Sequence, residues 1–454
     1  MKYSLLWHRN FWPLFVTQFA GAFNDNFFKN MIICYFTYTA PRILQQMNIE
    51  ISFLTSLAGA LFILPYFIFS TLAGQLSDRF CRNRYIVWIK VLEIVLMSLG
   101  SVAIFTENLY FLLLILFLMG TQSTLFGPAK YSIIPQLLKP DELLLGNSFI
   151  EGGTYLAILG GTLCGGFFIT LFDNGVFICS VTIVSVAVLG YFSSLCIKLV
   201  PPAMPKLKIQ YNIFAQIIEL HNCARCSKGV LEAIWGSSFF WLAGIVVMSL
   251  IPGVCKVLLK ADSTIYNMFL AIFSIGIGCG AFLCNYFFRE AGNAKNVFLS
   301  ALGMGIFLLD FAWAIQNWSG IMPFEPGKMV SLNMIWGDWS YIRIIFDLFM
   351  FSVCGGLFNV PLSACIQKWS NPCELSRMVA LNNIVNAGFM AGGTMLGALL
   401  IEKCHFVEYQ VMYLVVLALI FSSGYLFCKF KVKKSSVSSN DGKNDGLTVE
   451  QIAL

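Results

Sequence analysis

The sequence predicts an all-α membrane protein in which twelve transmembrane helices form two six-helix halves. Composition is the first reason, since 58% of the residues are hydrophobic and only 11% are charged, far from the average of soluble globular domains. The second is that apolar runs of about 20 residues recur along the whole chain, and the third is an internal repeat. The net charge of +6 is spread over short connections and the last residues. It therefore indicates membrane orientation rather than a nucleic-acid partner.

Each predicted helix is an apolar run bounded by polar residues or by Gly and Pro. The predicted spans, in chain order, are residues 11–38, 52–75, 85–105, 109–129, 147–171, 176–199, 231–255, 264–287, 297–316, 341–365, 377–401 and 408–429. Asp25 and Lys29 interrupt the first run, whereas the core of a cleavable signal peptide is purely apolar, so we expect the N-terminus to remain attached.

The two predicted halves are separated by the longest polar connection. Residues 1–199 form the N-terminal half, residues 200–229 a cytoplasmic connecting loop, and residues 230–430 the C-terminal half. Residues 431–454 form a tail rich in Ser, Asn and Gly, which cannot bury a core. We expect this tail to be disordered.

Basic residues concentrate in the connections that fall on one side of the membrane when the spans are counted. These connections contain "SDRFCRNR" after the second span, "PKLKIQ" and Arg225 after the sixth, and "KFKVKK" after the twelfth. The opposite connections carry Glu107, Asp173, Glu325 and Glu402. The positive-inside rule makes the basic side cytoplasmic, so both termini are expected there.

The two halves share a sequence pattern. "LFGPAKYSIIPQLLKPDELLLGNSFIEGG" from Leu125 resembles "LFNVPLSACIQKWSNPCELSRMVALNNIVNAG" from Leu357, an offset of 232 residues. Chance similarity of two proline-bearing segments is the alternative, but the offset is half the chain. Two repeated halves related by an axis along the membrane normal are a known transporter plan, with the substrate site between them near mid-depth.

Most of the fifteen cysteines lie inside apolar runs, where Cys behaves as a small hydrophobic residue. The one spaced group is "HNCARC", with His221, Cys223 and Cys226. It offers too few ligands for a closed zinc site. The sequence therefore predicts a solvated loop there, and no metal or cofactor.

The first span carries a polar cluster, "FAGAFNDNFFKN". A helix over residues 12–38 would be about 39 Å long at about 1.5 Å per residue, which places Asp25 near mid-bilayer. Gln18, Asp25 and Lys29 are seven and four residues apart and so share one helix face. Because a charge at the membrane centre costs roughly 2.5–3.5 kcal/mol, this face should be paired or should line a wet cavity.

Two interpretations of this cluster stay open. Asp25 and Lys29 could neutralise each other as a structural ion pair four residues apart. Alternatively, Asp25, flanked by Asn24 and Asn26, meets a polar headgroup in a central cavity, as intramembrane ionisable residues commonly do. The two interpretations are compatible with each other.

"GQLSDRFCRNR", between the second and third spans, resembles the loop signature of the major facilitator superfamily at Gly74, Asp78, Arg79, Arg82 and Arg84. Glycine lets two helices approach closely, and a carboxylate and a guanidinium at helix ends can pair across two halves. We expect a gate that latches the cytoplasmic side. A merely basic loop would explain the arginines but not the glycine and the aspartate.

Three further stretches, "TQFAGAFNDNFFKN", "GPAKYSIIPQLL" and "GSSFFWLAG", resemble the lysophospholipid transporter branch of that superfamily. The resemblance implies a bacterial inner-membrane facilitator that moves lysophospholipids, such as lysophosphatidylethanolamine, to the cytoplasmic leaflet. A cytoplasmic acyltransferase or ligase acting on the delivered lipid is the implied partner. The substrate-binding candidates are Gln18, Asn24, Asp25, Asn26, Lys29, Glu151, Asn382, Asn383 and Asn386. For the last four, lining the cavity and joining helices are both open.

Other classes of function make different demands on the sequence. A proton-coupled carrier of a small hydrophilic metabolite or drug would need a titrating carboxylate, for which Asp25, Glu93 or Glu151 could serve. The uncharged fourth-span stretch "LFLMGTQ" disfavours a proton-antiport drug exporter. A membrane acyltransferase would place Asp five positions after a His, and no His here has one, so we expect no enzyme. The gate motif favours a moving protein over a receptor.

Overall fold

The computed structural model describes residues 10–227, 229–288, 293–320, 329–335 and 337–444. Twelve long helices dominate the described residues. They are α1 (Trp12–Cys34), α2 (Ile51–Arg79), α3 (Arg82–Phe105), α4 (Leu109–Leu137), α5 (Leu143–Leu171), α6 (Gly175–Leu195), α7 (Val230–Gly253), α8 (Ser263–Phe287), α9 (Ala294–Gln316), α10 (Trp339–Trp369), α11 (Leu375–Glu402) and α12 (Glu408–Asn444). Short helices Pro41–Gln46 and Leu332–Ile335 lie between them.

Helices α2 to α12 each contain a segment long and apolar enough to cross a membrane. Helix α1, which carries the polar cluster, is not among these eleven helices. Its 23 residues span about 34 Å, and a π-helical turn, Tyr35–Thr39, extends it. Helix α7, its counterpart in the second half, is extended by a similar turn, Val254–Leu258. The predicted multi-pass all-α architecture is confirmed.

Several helices are longer than their apolar runs. Helix α4 continues through Pro128 and Pro135 to Leu137, and α5 begins at Leu143, whereas the sequence suggested breaks at 129 and 147. The added turns bury Ser132 and Asn147 against other helices. Polar side chains can extend a helix here because they contact protein rather than lipid.

The connection between the halves is partly helical, which differs from the loop that the sequence suggested. A helix runs from Ile213 to Cys226 and includes the whole "HNCARC" stretch. The Asn212 side chain caps it by accepting a hydrogen bond from the Ala215 amide at 3.0 Å. Leu220 and Ala224 are fully buried in the core of the second half.

Helix α12 continues to Asn444, so the first part of the segment expected to be disordered is helical in the structure. Residues 445–454 of that segment, and Lys228 and Glu325 in two predicted connections, lie outside the described residues.

Helix α1 packs on α5 and α6 within the first half. A Cβ atom on Gly161 or Gly165 of α5 would lie 2.3–2.4 Å from the carbonyl oxygens of Phe23 and Phe27. Glycine is therefore required for this close approach of two backbones. The approach fixes the rotation of α1 about its own axis.

The halves meet through α2, α4 and α5 of the first and α8, α10 and α11 of the second. Contacts concentrate at one end, which we call the closed end, where α2 finishes and α11 begins. There the Asn147 and Gln367 side-chain amides exchange two hydrogen bonds of 2.7 and 2.9 Å. Toward the opposite end, a Cβ on Gly59 of α2 or on Gly388 of α11 would meet nothing within 4 Å. We call this the open end.

Candidate functional site

A cavity of about 390 Å³ lies between the two halves. Eight of the nine predicted substrate-binding residues line it: Gln18, Asp25, Asn26, Lys29, Glu151, Asn382, Asn383 and Asn386. Asn24 does not, because its side-chain amide donates to the Ile183 carbonyl oxygen at 2.9 Å and to Glu93 at 3.4 Å. Asn24 thus joins helices within the first half, while its neighbours face the space between halves.

Asp25 has one satisfied and one unsatisfied carboxylate oxygen. Its Oδ2 accepts a hydrogen bond of 2.5 Å from the Ser123 hydroxyl on α4, whereas Oδ1 is buried without a hydrogen-bond partner among the described residues. Lys29 instead donates to Asn26 Oδ1 at 3.4 Å and lies over the Phe62 ring, 5.8 Å from its centre. The ion pair of Asp25 with Lys29, one of the two open interpretations, is therefore absent from the described contacts.

Two more polar pairs line the cavity wall beside α5. Gln18 Oε1 accepts from the Thr154 hydroxyl at 2.8 Å, while its Nε2 is buried without a partner among the described residues. Glu151 accepts a hydrogen bond of 2.7 Å from the Tyr131 hydroxyl. Lys130 Nζ lies 4.5 Å from the centre of the Tyr131 ring, so an ammonium group faces the cavity from α4.

A buried ion pair on α3 belongs to the cavity wall that the first half forms. Lys90 Nζ lies 2.6 Å from Glu93 Oε2 on α3. The carboxylate of Glu93 also accepts from the amides of Gln122, at 3.1 Å, and Asn24, at 3.4 Å. A Cβ on Gly21 would lie 2.7 Å from the Lys90 ammonium, so glycine on α1 makes room for this charge. The network compensates both buried charges.

The two walls of the cavity differ in charge. Every charged residue that lines it belongs to the first half: Asp25, Lys29, Lys90, Lys130 and Glu151. The second half supplies only uncharged side chains, namely Ser237, Trp241, Ile245, Asn359, Ser363, Ile366, Gln367, Val379, Asn382, Asn383, Asn386, Ala387 and Met390. A ligand with one charged and one apolar end matches this division.

The predicted gate lies at the closed end. Asp78, fully buried, pairs with Arg82 at 2.8 Å and, across the interface, with Arg377 of α11 at 3.4 Å. The Ser376 amide, in the first turn of α11, donates to Asp78 Oδ1 at 3.2 Å, where the helix dipole favours a carboxylate. A Cβ on Gly74 would lie 2.8 Å from the Ala380 Cβ.

The other two gate candidates do not take part in these contacts. Arg79 is half-buried over the Phe80 ring of its own half, and Arg84 is exposed. Gly74, Asp78 and Arg82 therefore lie in the interface between the halves. The positions of Arg79 and Arg84 agree only with the positive-inside rule.

Several residues of the site were not identified from the sequence. Lys130 lies within the quoted stretch "GPAKYSIIPQLL", and its charge in a predicted membrane-proximal helix was the available signal. Ser123 gave no such signal, and the charge of Arg377, at the start of the predicted span 377–401, did not reveal its partner, which lies far away in the chain. Among the described residues, no three His, Cys, Asp or Glu side chains cluster as metal ligands.

Comparison with known proteins agrees with this architecture. A bacterial homologue of the iron transporter ferroportin in an outward-facing state superposes with a TM-score of 0.66, at 14% identity, over 92% of this chain and 99% of that chain. The major facilitator superfamily transporter FucP in the outward conformation gives 0.65, at 14% identity, over 92% and 98%. The chain therefore shares the fold of these two proteins.

The family follows from sequence. A family model described as "Transmembrane secretion effector" matches residues 51–324, more than half of the chain, so the chain belongs to that family. It is 26% identical over 363 residues to the lysophospholipid transporter LplT of Photorhabdus laumondii, with 78% of each chain covered. It is 25% identical over 389 residues to LplT of Escherichia coli O157:H7 strain EC4115, covering 80% of this chain and 81% of that one.

Proposed function

We propose that this protein moves lysophospholipids, such as lysophosphatidylethanolamine, across the bacterial inner membrane to the cytoplasmic leaflet. The observation that carries the proposal is the cavity between the halves, charged on one wall and uncharged on the other. Relatives named as lysophospholipid transporters support the same substrate class. Transport proceeds by alternating access of two halves around a central site.

The headgroup binds to the first half. The unpaired Oδ1 of Asp25 offers an acceptor for the ammonium of an ethanolamine headgroup. Lys29 and Lys130 have no carboxylate within 4 Å among the described ion pairs and are available to the phosphate. Groups of both signs in one wall suit a zwitterion better than a purely anionic or purely apolar solute.

The acyl chain lies against the second half. Trp241, Ile245, Val379 and Met390 provide apolar, adaptable surface. The amides of α11 also line the cavity, and Asn382 Oδ1 is buried without a hydrogen-bond partner among the described residues. The limited apolar surface of these four side chains suits a lipid with one acyl chain.

The gate holds the closed end shut in this state. Asp78, Arg82, Ser376 and Arg377 join the two halves there. The basic residues at this end assign it to the cytoplasm by the positive-inside rule, so the open end faces the periplasmic side. Opening of the gate delivers the lipid to the cytoplasmic leaflet, where a cytoplasmic acyltransferase or ligase can re-acylate it.

The deciding experiment reconstitutes the purified protein in proteoliposomes and compares labelled lysophosphatidylethanolamine with lysophosphatidylglycerol and a panel of hydrophilic solutes. Uptake of the lysophospholipids alone supports the proposal. Uptake of a hydrophilic solute instead would establish the carrier alternative. An imposed pH gradient is the second arm, since a many-fold acceleration identifies proton coupling rather than facilitated movement.

A further inference from the structure

The helix between the two halves, Ile213–Cys226, exposes large apolar side chains although it lies outside the twelve long helices. Tyr211, Phe214 and Ile218 are 80%, 73% and 63% exposed. Elsewhere such exposure is expected where membrane helices face lipid. We propose that this helix binds the anionic phospholipid surface of the leaflet at the closed end.

Two of the exposed side chains share one face of the helix. Phe214 and Ile218 are four residues apart, and Tyr211 lies just before the helix, next to its N-cap residue Asn212. We call these three exposed residues the stripe. The opposite face carries Gln216, Leu220 and Ala224, all buried. One apolar side of the helix therefore packs against the protein. A second apolar side has no protein partner in the described chain.

The position of the helix is fixed relative to the bundle. Before it, the Gln210 amide donates to Gln75 Oε1 at 2.7 Å, and Gln75 Nε2 donates to the Gln210 carbonyl oxygen at 3.0 Å. The Met204 amide donates to the Asp78 carbonyl oxygen at 2.8 Å. The helix then packs on α2, α7 and α11. These contacts hold it where α2 and α11 end, at the level of the membrane interface.

The charge of the segment matches anionic headgroups. Lys206, Lys208 and Arg225 are exposed, and each basic residue near an anionic surface contributes about 1 kcal/mol. One acidic group lies beside them, Glu219, whose Oε2 accepts a hydrogen bond of 2.9 Å from Gln216. Apolar side chains inserted at the headgroup boundary with basic residues around them are the pattern of interfacial helices.

A lipid surface fits these features better than a protein partner. The stripe consists of only three large side chains, too small a surface for a stable protein interface. The helix ends at Cys226, shortly before α7 begins at Val230, so the bilayer crossed by α7 is close to it. The binding would anchor the connection at the seam between α2 and α11, where the halves separate during transport.

Photocrosslinking of the full-length protein in nanodiscs tests the proposal. Phe214→p-benzoylphenylalanine is compared with Asp141→p-benzoylphenylalanine, an exposed position in the connection between α4 and α5 at the same end. Ile218→p-benzoylphenylalanine provides a second probe of the stripe. Nanodiscs of phosphatidylethanolamine are compared with nanodiscs that also contain phosphatidylglycerol, and mass spectrometry identifies the adducts.

We expect lipid adducts at positions 214 and 218, enriched in phosphatidylglycerol, and few at position 141. The double variant Lys206→Gln/Lys208→Gln should lower the phosphatidylglycerol enrichment by about fivefold per lysine, whereas Lys139→Gln, an exposed lysine at the same end, should leave it unchanged. Equal lipid adducts at 214 and 141, adducts to protein instead of lipid, or no effect of lipid charge would overturn the proposal.

Discussion

Removal of the Asp25 charge is expected to reduce transport of zwitterionic lysophospholipids selectively. Asp25→Asn keeps the size of the side chain, and its amide can still pair with the Ser123 hydroxyl, 2.5 Å from Oδ2 in the wild type. What it loses is the charged acceptor at Oδ1, which is buried without a partner among the described residues. A hydrogen bond to a charged group contributes about 1.5–3 kcal/mol. The initial uptake rate should therefore fall roughly 10- to 150-fold at 1.36 kcal/mol per factor of ten.

The assay measures initial uptake of labelled lysophosphatidylethanolamine and lysophosphatidylglycerol in proteoliposomes containing matched amounts of protein. The glycerol headgroup has no ammonium, so its uptake should change far less. Ser123→Ala is the matched control, because it removes a donor to the same carboxylate but keeps the charge of Asp25, so it should slow the uptake of both lipids to a similar extent. An equal loss for both lipids in Asp25→Asn, or unchanged uptake of the ethanolamine lipid, would show that Asp25 is structural.

Three other substitutions test the interface and the buried charges. Asp78→Asn should favour opening of the closed end, because it removes a buried charge that pairs with Arg377 across the halves at 3.4 Å. Single-molecule distances across that end should lengthen. The control Arg84→Gln, at an exposed position, should leave them unchanged. Gly74→Val adds a side chain at a position where even a Cβ would lie 2.8 Å from the Ala380 Cβ. The distance measurement should therefore show fewer closed molecules, and uptake should be slower. Unaltered distances would mean that the helices do not need this close approach. Glu93→Gln should lower the thermal midpoint of unfolding in detergent, since loss of one partner of a buried ion pair costs about 3–5 kcal/mol. Adding Lys90→Met should recover part of this loss, because it removes the ammonium that has lost its partner. If stability does not recover, the unpaired Lys90 ammonium is not the cause of the loss.

The sequence was sufficient to predict the multi-pass all-α architecture and most of the cavity-lining side chains of α1. Helical periodicity placed Gln18, Asp25 and Lys29 on one face, and the structure turns that face toward the cavity. The same periodicity could not separate Asn24 from Asn26. Their difference depends on the rotation of α1, which close contacts with Gly161 and Gly165 fix.

Partners distant in the chain were beyond prediction for a different reason. Asp25 meets Ser123, and Asp78 meets Arg377, only because helices from separate parts of the chain pack together. A local charge pattern gives no information on such pairs. It offered instead the pairing of Asp25 with Lys29, four residues away, as one of two open interpretations.

Helix α11 connects the gate to the cavity. Its first turn holds Arg377 against Asp78, and Asn383, which lines the cavity beside Gly127, follows about 9 Å further along the same helix at about 1.5 Å per residue. Opening of the gate must move this helix as a unit, because its hydrogen bonds resist bending over two turns. The amides that face the first half would then leave the headgroup wall as the closed end separates. We therefore expect loss of the second-half contacts and access to the cytoplasmic leaflet to occur in the same step, so that the lipid is released only toward the end that opens.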